Sequence, residues 1–168
     1  HRNYKKIHTI VGTNYKIIVS AKVTIGTQGD SPMMIPLLKN MSKFFKVIEL
    51  SGDGGYASRQ NAQFVEDMGA VPYFRLRKDV RSLSKGYPAW KKMVYKFKKN
   101  PSDYNLHYHR RSLIESSYHM FKRKISSYIS SKTETAQINE ALCIAVSHNL
   151  FVLVNALFCD NIEPDFKV

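Results

Sequence analysis

The sequence predicts an α/β domain, and three observations predict it. Two runs rich in β-branched residues and tyrosine near the N-terminus are joined by a Gly-Thr-Asn turn. A short apolar run, a Gly-rich turn, a helical period and a second apolar run then follow in β-turn-α-β order. The last third of the chain carries helical periodicity.

Lys5 to Val11 and Tyr15 to Thr24 form a β-hairpin around Gly12-Thr13-Asn14. Gly26-Thr27-Gln28-Gly29 is a loop, after which Asp30 or Ser31 caps a helix with Pro32 in its first turn and a body reaching about Ser42. Asp30 is read as that cap rather than as a catalyst, because Asp is favoured at N-caps. Lys46 to Leu50 is a short strand that runs into Ser51-Gly52-Asp53-Gly54-Gly55-Tyr56, and Ala57 to Met68 is a helix closed by Gly69. Val71 to Leu76 is the next strand. In an open α/β sheet, ligands bind beyond the C-terminal ends of the strands, which is where Asp53 is expected.

Arg75 to Lys99 is the most basic stretch. Arg75, Arg77, Lys78, Arg81 and six further lysines alternate there with aromatic residues that include Tyr73, Tyr87 and Trp90. Cations among aromatics suit a nucleic-acid backbone and unstacked bases. A short amphipathic helix from Ala89 to Lys99, wetting its lysines, accounts for the pattern equally well and is compatible with that use. Pro101 ends this helix. The next helix runs from about His107 to Ile129, with Ile114, Tyr118, Phe121 and Ile125 at the spacing of a buried stripe beside Glu115. Thr133 to Phe158 is a final helix, apolar nearly all round and therefore expected to be well buried. No repeat or linker is visible, so residues 1–168 are read as a single domain. A chain that opens on His1 and enters directly into a strand reads as a fragment of something longer.

A net charge of +13 and a pI near 9.8 make polyanions the natural partner. A basic surface that serves only solubility is the plainer alternative. Cys143 and Cys159 stand in apolar surroundings without a C-x-x-C pair and read as buried reduced thiols. The apolar run Ile144 to Phe158 is interrupted by Ser147, His148, Asn149 and Asn155. Neither a membrane span nor a signal peptide is expected, and a cytoplasmic location follows.

Tyr108, Arg111, Glu115 and Lys122 stand at spacings of three, four and seven, so on one helix they project within roughly 60° of each other. The stripe joins a carboxylate to two cations and a phenol, while Asp53 supplies a second carboxylate from a distant segment. Phosphodiester cleavage needs an activated oxygen nucleophile and a neutralised leaving oxygen, and two divalent ions provide both. Acids from separate elements are the ligands Mg²⁺ requires. Asp53 and Glu115 supply two, and a third is not found. Arg111 paired with Glu115 as a surface salt bridge is the bland alternative. His107 and His109 lack further ligands at zinc spacing, and His148 reads as a hydrogen-bonded core histidine. Neither Ser nor Cys has a visible triad partner.

Tyr108-x2-Arg111-x3-Glu115-x6-Lys122 resembles the signature around the catalytic Glu of DDE transposases of prokaryotic insertion sequences. Gly52-Asp53-Gly54-Gly55-Tyr56 resembles the segment around their second catalytic Asp. The two motifs stand in the right order, and the resemblance spans nearly the whole chain. It implies an RNase H-like mixed sheet flanked by helices, with Mg²⁺ or Mn²⁺ as two ions bound by Asp53 and Glu115. It also implies Arg111 and Lys122 on DNA phosphates near the reactive end, Tyr108 positioning the strand, and a pair of protomers on DNA in a nucleoid-associated setting. By the family pattern the first Asp ends a strand before the hairpin, so the trio is incomplete in this sequence. The reaction implied is metal-dependent cleavage at transposon ends, then attack of the freed 3′-hydroxyl on target DNA. A non-catalytic DNA-binding remnant and a related metal nuclease without strand transfer are the alternatives.

Overall fold

The computed structural model describes residues 4–124, 128–159 and 162, those at 118 and 120–124 by their backbone alone. The chain divides into two compact units, His1–Gly26 with Leu113–Val168, and Thr27–Ser112.

In the first unit, β1 (Lys5–Val11) and β2 (Ile18–Ile25) form the expected antiparallel hairpin, Lys5 opposite Ile25, with a bulge between Ile10 and Val11. The connection is wider than the sequence suggests. The Gly12 N–H donates to the Ile17 carbonyl at 2.8 Å, and Lys16 holds a left-handed φ of 58°, so β2 starts at Ile18 rather than Tyr15. A non-glycine residue rarely adopts that conformation unless its surroundings enforce it. Here the long helix α6 (Glu134–Cys159) enforces it: the His148 Nε2 lies 2.8 Å from the Lys16 carbonyl, and the Asn149 side chain makes two 2.8 Å bonds to the backbone of Ile18. Ala145 and Ile144 pack on Ile18, Ile7, Val11 and Ala21. His148, 1% exposed, is thus the hydrogen-bonded core histidine expected.

Two expectations about α6 are corrected. The helix is not well buried, because only Ala141, Ala145, His148 and Val152 are covered, while Val146, Leu150, Val154 and Phe158 are all at least 50% exposed. Nor are the thiols buried: Cys143 and Cys159 are both exposed and unbridged. A two-stranded hairpin is too narrow to cover more than one stripe of a helix. By length and composition alone α6 is long and apolar enough to cross a membrane, with a mean hydropathy of 2.0 over an 18-residue window of which 22% is buried. The same unit holds α5 (Ser112–Lys124), in which Ile114 is half-buried. The side chains of Tyr118 and Phe121, and Ile125 altogether, lie outside the described residues.

The second unit is a βαβ unit with helices around it. α1 (Ser31–Met41) has Pro32 in its first turn and buries Met34, Leu37, Leu38 and Met41. β3 (Glu49–Gly52) pairs in parallel with β4 (Val71–Phe74), Glu49 opposite Val71 and Gly52 opposite Phe74. Both strands are offset from the expected bounds. Residues 42–48 form an exposed loop instead of starting the strand, and β4 ends at Phe74 because β3 turns away after Gly52. α2 (Arg59–Asp67) connects them, with the Ser58 hydroxyl accepting from the Asn61 N–H at 3.1 Å and Gly69 closing the far end at φ 80°. α3 (Pro88–Lys99) buries Ala89, Trp90, Met93 and Val94.

Pro101 ends α3 but also begins a helix the sequence reading missed, α4 (Pro101–His109), whose N-cap Asn100 accepts from the Asp103 N–H at 3.2 Å. Tyr104 anchors α4. Its hydroxyl donates to the Phe74 carbonyl at 2.7 Å and its ring lies 5.2 Å from both Tyr73 and Phe97; burial raises its pKa despite that bond. The single helix expected over His107 to Ile129 is therefore two, parted at Arg110 and Arg111, where Tyr108 accepts the Arg111 N–H at 3.1 Å in a tight final turn. Among the described residues the expected mixed sheet is two separate two-stranded sheets, one antiparallel and one parallel; with the helices they give a mixed α/β architecture consistent with an RNase H-like domain.

Candidate active site

The site in the second unit begins at the end of β3. Gly52, the last strand residue, must be a glycine because the Phe74 ring crosses it: a Cβ built there would lie 2.8 Å from two ring carbons. The chain then turns through a single 3-10 turn, Gly54–Tyr56, and the Asp53 carboxylate accepts from the Gly54 N–H at 2.7 Å. Asp53 stays exposed. It opens onto a cleft of about 690 Å³ lined also by Arg75, Arg77, Asp79, Val80 and Trp90.

The turn is held from behind by a residue the sequence reading passed over. Asn61, 2% exposed, donates through its side-chain nitrogen to the Tyr56 carbonyl at 2.8 Å and to the carbonyl and hydroxyl of Ser31 at 3.0 and 3.1 Å. One amide thus ties α2 to the start of α1 and to the turn after Asp53. Its signal was present, since Asn61 shares a buried helix face with Ala62 and Val65. Asp30 stands at the N-cap position of α1 as expected, yet makes no side-chain cap bond; its carboxylate lies against Gly55, where a Cβ would come within 2.6 Å of it.

A second tie holds β3 from the other side. Glu49 accepts from the Arg110 guanidinium at 2.9 Å and sits 2.9 Å from the His107 Nδ1, while the Ser51 hydroxyl donates to the His107 carbonyl at 2.8 Å. His107 stacks on Tyr73 with ring centroids 4.6 Å apart. This explains why the helix parts after His109 without any Gly or Pro: side chains of its last turn are drawn onto β3.

The expected site residues fall into distinct places. Asp53, Arg75, Arg77 and Trp90 meet at the cleft. Trp90 forms its wall: 8% exposed, it lies under the Arg59 guanidinium at 5.4 Å and donates its indole N–H to the Arg81 carbonyl at 3.1 Å. Lys78 and Arg81 are exposed on the loop beside it. Tyr108 is 8% exposed on α4, with the Arg111 guanidinium 5.5 Å from its ring centroid. Because α4 and α5 are separate helices, the four-residue stripe does not run along one helix. Glu115 belongs to the first unit, exposed in the first turn of α5, where the helix dipole favours a carboxylate. The side chain of Lys122 lies outside the described residues.

A hard divalent cation takes oxygen ligands, usually one or two carboxylates with water and phosphate. The exposed Asp53 oxygen atoms suit that chemistry, and the Asp79 carboxylate lines the same cleft. Among the described residues no three acidic, His or Cys side chains gather into a cluster able to hold a metal. Comparison with curated proteins and with solved structures brings no match. The family model described as transposase DDE domain matches residues 1–151. The chain therefore belongs to the transposase DDE domain family.

Proposed function

We propose that the chain is the catalytic domain of a DNA transposase that cleaves DNA at transposon ends and joins it to a target, with Asp53 and Glu115 as its metal-binding catalytic carboxylates. The observation that carries the reading is Asp53, held exposed at the end of β3 over a cleft lined by Arg75 and Arg77. A bound Mg²⁺ or Mn²⁺ supplies charge neutralisation at a phosphoryl oxygen and an activated oxygen nucleophile. The protein's part is to hold the acid and the strand. The Gly54 N–H and the Asn61 ties fix the Asp53 turn, and the Arg75 and Arg77 guanidiniums suit bidentate contact with phosphates along the cleft. Lys78 and Arg81 extend that contact, and Trp90 shapes the wall. In this reading Arg111 and Lys122 contact phosphates near the reactive end, and Tyr108 orients the strand. A single domain, a pair of protomers on DNA and a nucleoid-associated cytoplasmic location go with it.

The test is Asp53→Asn in the intact protein, assayed for Mg²⁺-dependent nicking of transposon-end DNA and, in parallel, for DNA binding. Cleavage is expected to vanish with binding largely kept. Undiminished nicking by this variant would refute the role of Asp53. A non-catalytic DNA-binding remnant is the second reading, favoured by the single partner acid, Asp79, beside Asp53 among the described cleft residues. It predicts DNA binding with no nicking in the unaltered chain.

A further inference from the structure

α3 is built as two halves of opposite character. Ala89, Trp90, Met93, Val94 and the half-buried Phe97 face inward, while Lys91, Lys92, Lys96, Lys98 and Lys99 are all exposed, and no acidic residue occurs anywhere on the helix. At 100° per residue the five lysines occupy an arc of about 160°. They are not equivalent. Lys92 pairs with Glu66 at 3.0 Å, and Lys96 donates to the Tyr73 hydroxyl at 2.7 Å, both beside a groove whose rim Tyr95 and Lys99 share with Asp103. Lys91, Lys98 and Lys99 pair with no carboxylate among the described residues. With Tyr95, 64% exposed, they share an arc of roughly 100° on the outer side.

The last-turn lysines favour the helix C-terminus through its dipole, which accounts for Lys98 and Lys99 locally but not for Lys91, two turns earlier. A peptide strand is poorly served by the adjoining β4 edge, because Pro72 lacks the N–H needed for a ladder there. A row of cations that meet no carboxylate among the described residues, on a firmly packed helix, fits a polyanion of regular spacing, even with the Lys99 ammonium 6.0 Å from the Tyr95 ring centroid. Lys91 and Lys98 stand roughly 10 Å apart along the axis, far enough for each to meet a different phosphate of one DNA strand.

We propose that the outer face of α3, formed by Lys91, Lys98 and Lys99 around Tyr95, is a docking surface for the phosphate backbone of duplex DNA, separate from the Asp53 cleft. The inference rests on DNA being the partner of this chain, but not on Asp53 binding a metal.

The experiment measures binding of the full chain to a labelled duplex of arbitrary sequence across a range of salt concentrations. The wild type is compared with the triple variant Lys91→Gln, Lys98→Gln, Lys99→Gln and with a charge-matched control, Lys39→Gln, Lys43→Gln, Lys46→Gln. All six lysines are exposed, so both variants should fold, with only a small fall in thermal unfolding temperature from the last-turn lysines each removes, Lys98 and Lys99 in α3 and Lys39 in α1. Each phosphate contact contributes about 0.9 to the slope of log affinity against log salt, so the α3 variant should lose about 2.7 of that slope. The control should lose much less. An equal loss in both variants, or an unchanged slope in the α3 variant, overturns the proposal. So does loss of binding to phosphatidylserine vesicles with DNA binding intact, which would assign the face to a membrane surface. A wild-type chain that binds no duplex at low salt would instead bring down the DNA reading itself.

Discussion

Replacing Asn61 by alanine should be among the most damaging single changes in the Thr27–Ser112 unit. The side chain is 2% exposed, and its nitrogen serves the Tyr56 carbonyl and both oxygen atoms of Ser31. Each bond contributes about 0.5–1.5 kcal/mol net, and a carbonyl left buried without a donor costs about 1–3 kcal/mol more, so a loss of about 2–4 kcal/mol is expected. The assay is urea unfolding. With a slope of about 1–3 kcal/mol per molar urea, the midpoint should fall by roughly 1–2 M with the slope itself unchanged. Asn61→Asp keeps the shape but aims acceptors at carbonyl oxygens, and at neutral pH it should be no more stable than the alanine variant. A midpoint shift under about 0.3 M for alanine, or an aspartate variant as stable as wild type, would refute the claim that this amide fastens the Asp53 turn.

Two further outcomes are expected. Gly52→Ala places a methyl group 2.8 Å from the fully buried Phe74 ring, and such overpacking should cost about 1–3 kcal/mol in the same unfolding assay, whereas Gly69→Ala would test backbone strain rather than a clash. The Glu140 pKa is held down to about 2, first by the Ser131 side-chain hydrogen bond and then by the backbone N–H groups of Ser130 and Ser131. A depressed carboxylate pKa stabilises the fold above the unfolded value of 4.5 and loses that effect as pH falls toward 2. Protection of the Ser130 and Ser131 amides, taken as exchange relative to the intrinsic rate at each pH, should therefore fall as pH drops through that window in the wild type, and Glu140→Gln should flatten the pH dependence of that protection.

Much of the architecture was legible because it rests on local rules. The period from Ala57 to Met68 with Gly69 behind it and the Ser51-to-Tyr56 turn carry their conformational reason in adjacent residues, whereas the hairpin was legible but the width of its connection was not, because α6 fixes Lys16 and Ile18 from about 130 positions away. What failed was decided at a distance. Nothing near Arg110 breaks a helix; the break comes with contacts of His107 and Arg110 to Glu49, about sixty positions earlier. The exposure of Cys143 and Cys159 depends on how little of α6 a two-stranded hairpin can cover, and composition is blind to that.

Taken alone, the sequence determined the charge, the family motifs around Asp53 and Glu115, and the placement of Asp53 at a strand end, since these follow from residue identity and short spacing. The tertiary structure decided which side chains surround Asp53, that Trp90 is a wall and Tyr108 a packed ring, and which lysines of α3 meet a carboxylate among the described residues. The reason is physical: burial and pairing are properties of neighbours in space, and the chain brings those together only when its entropy is overcome by the contacts of the whole fold.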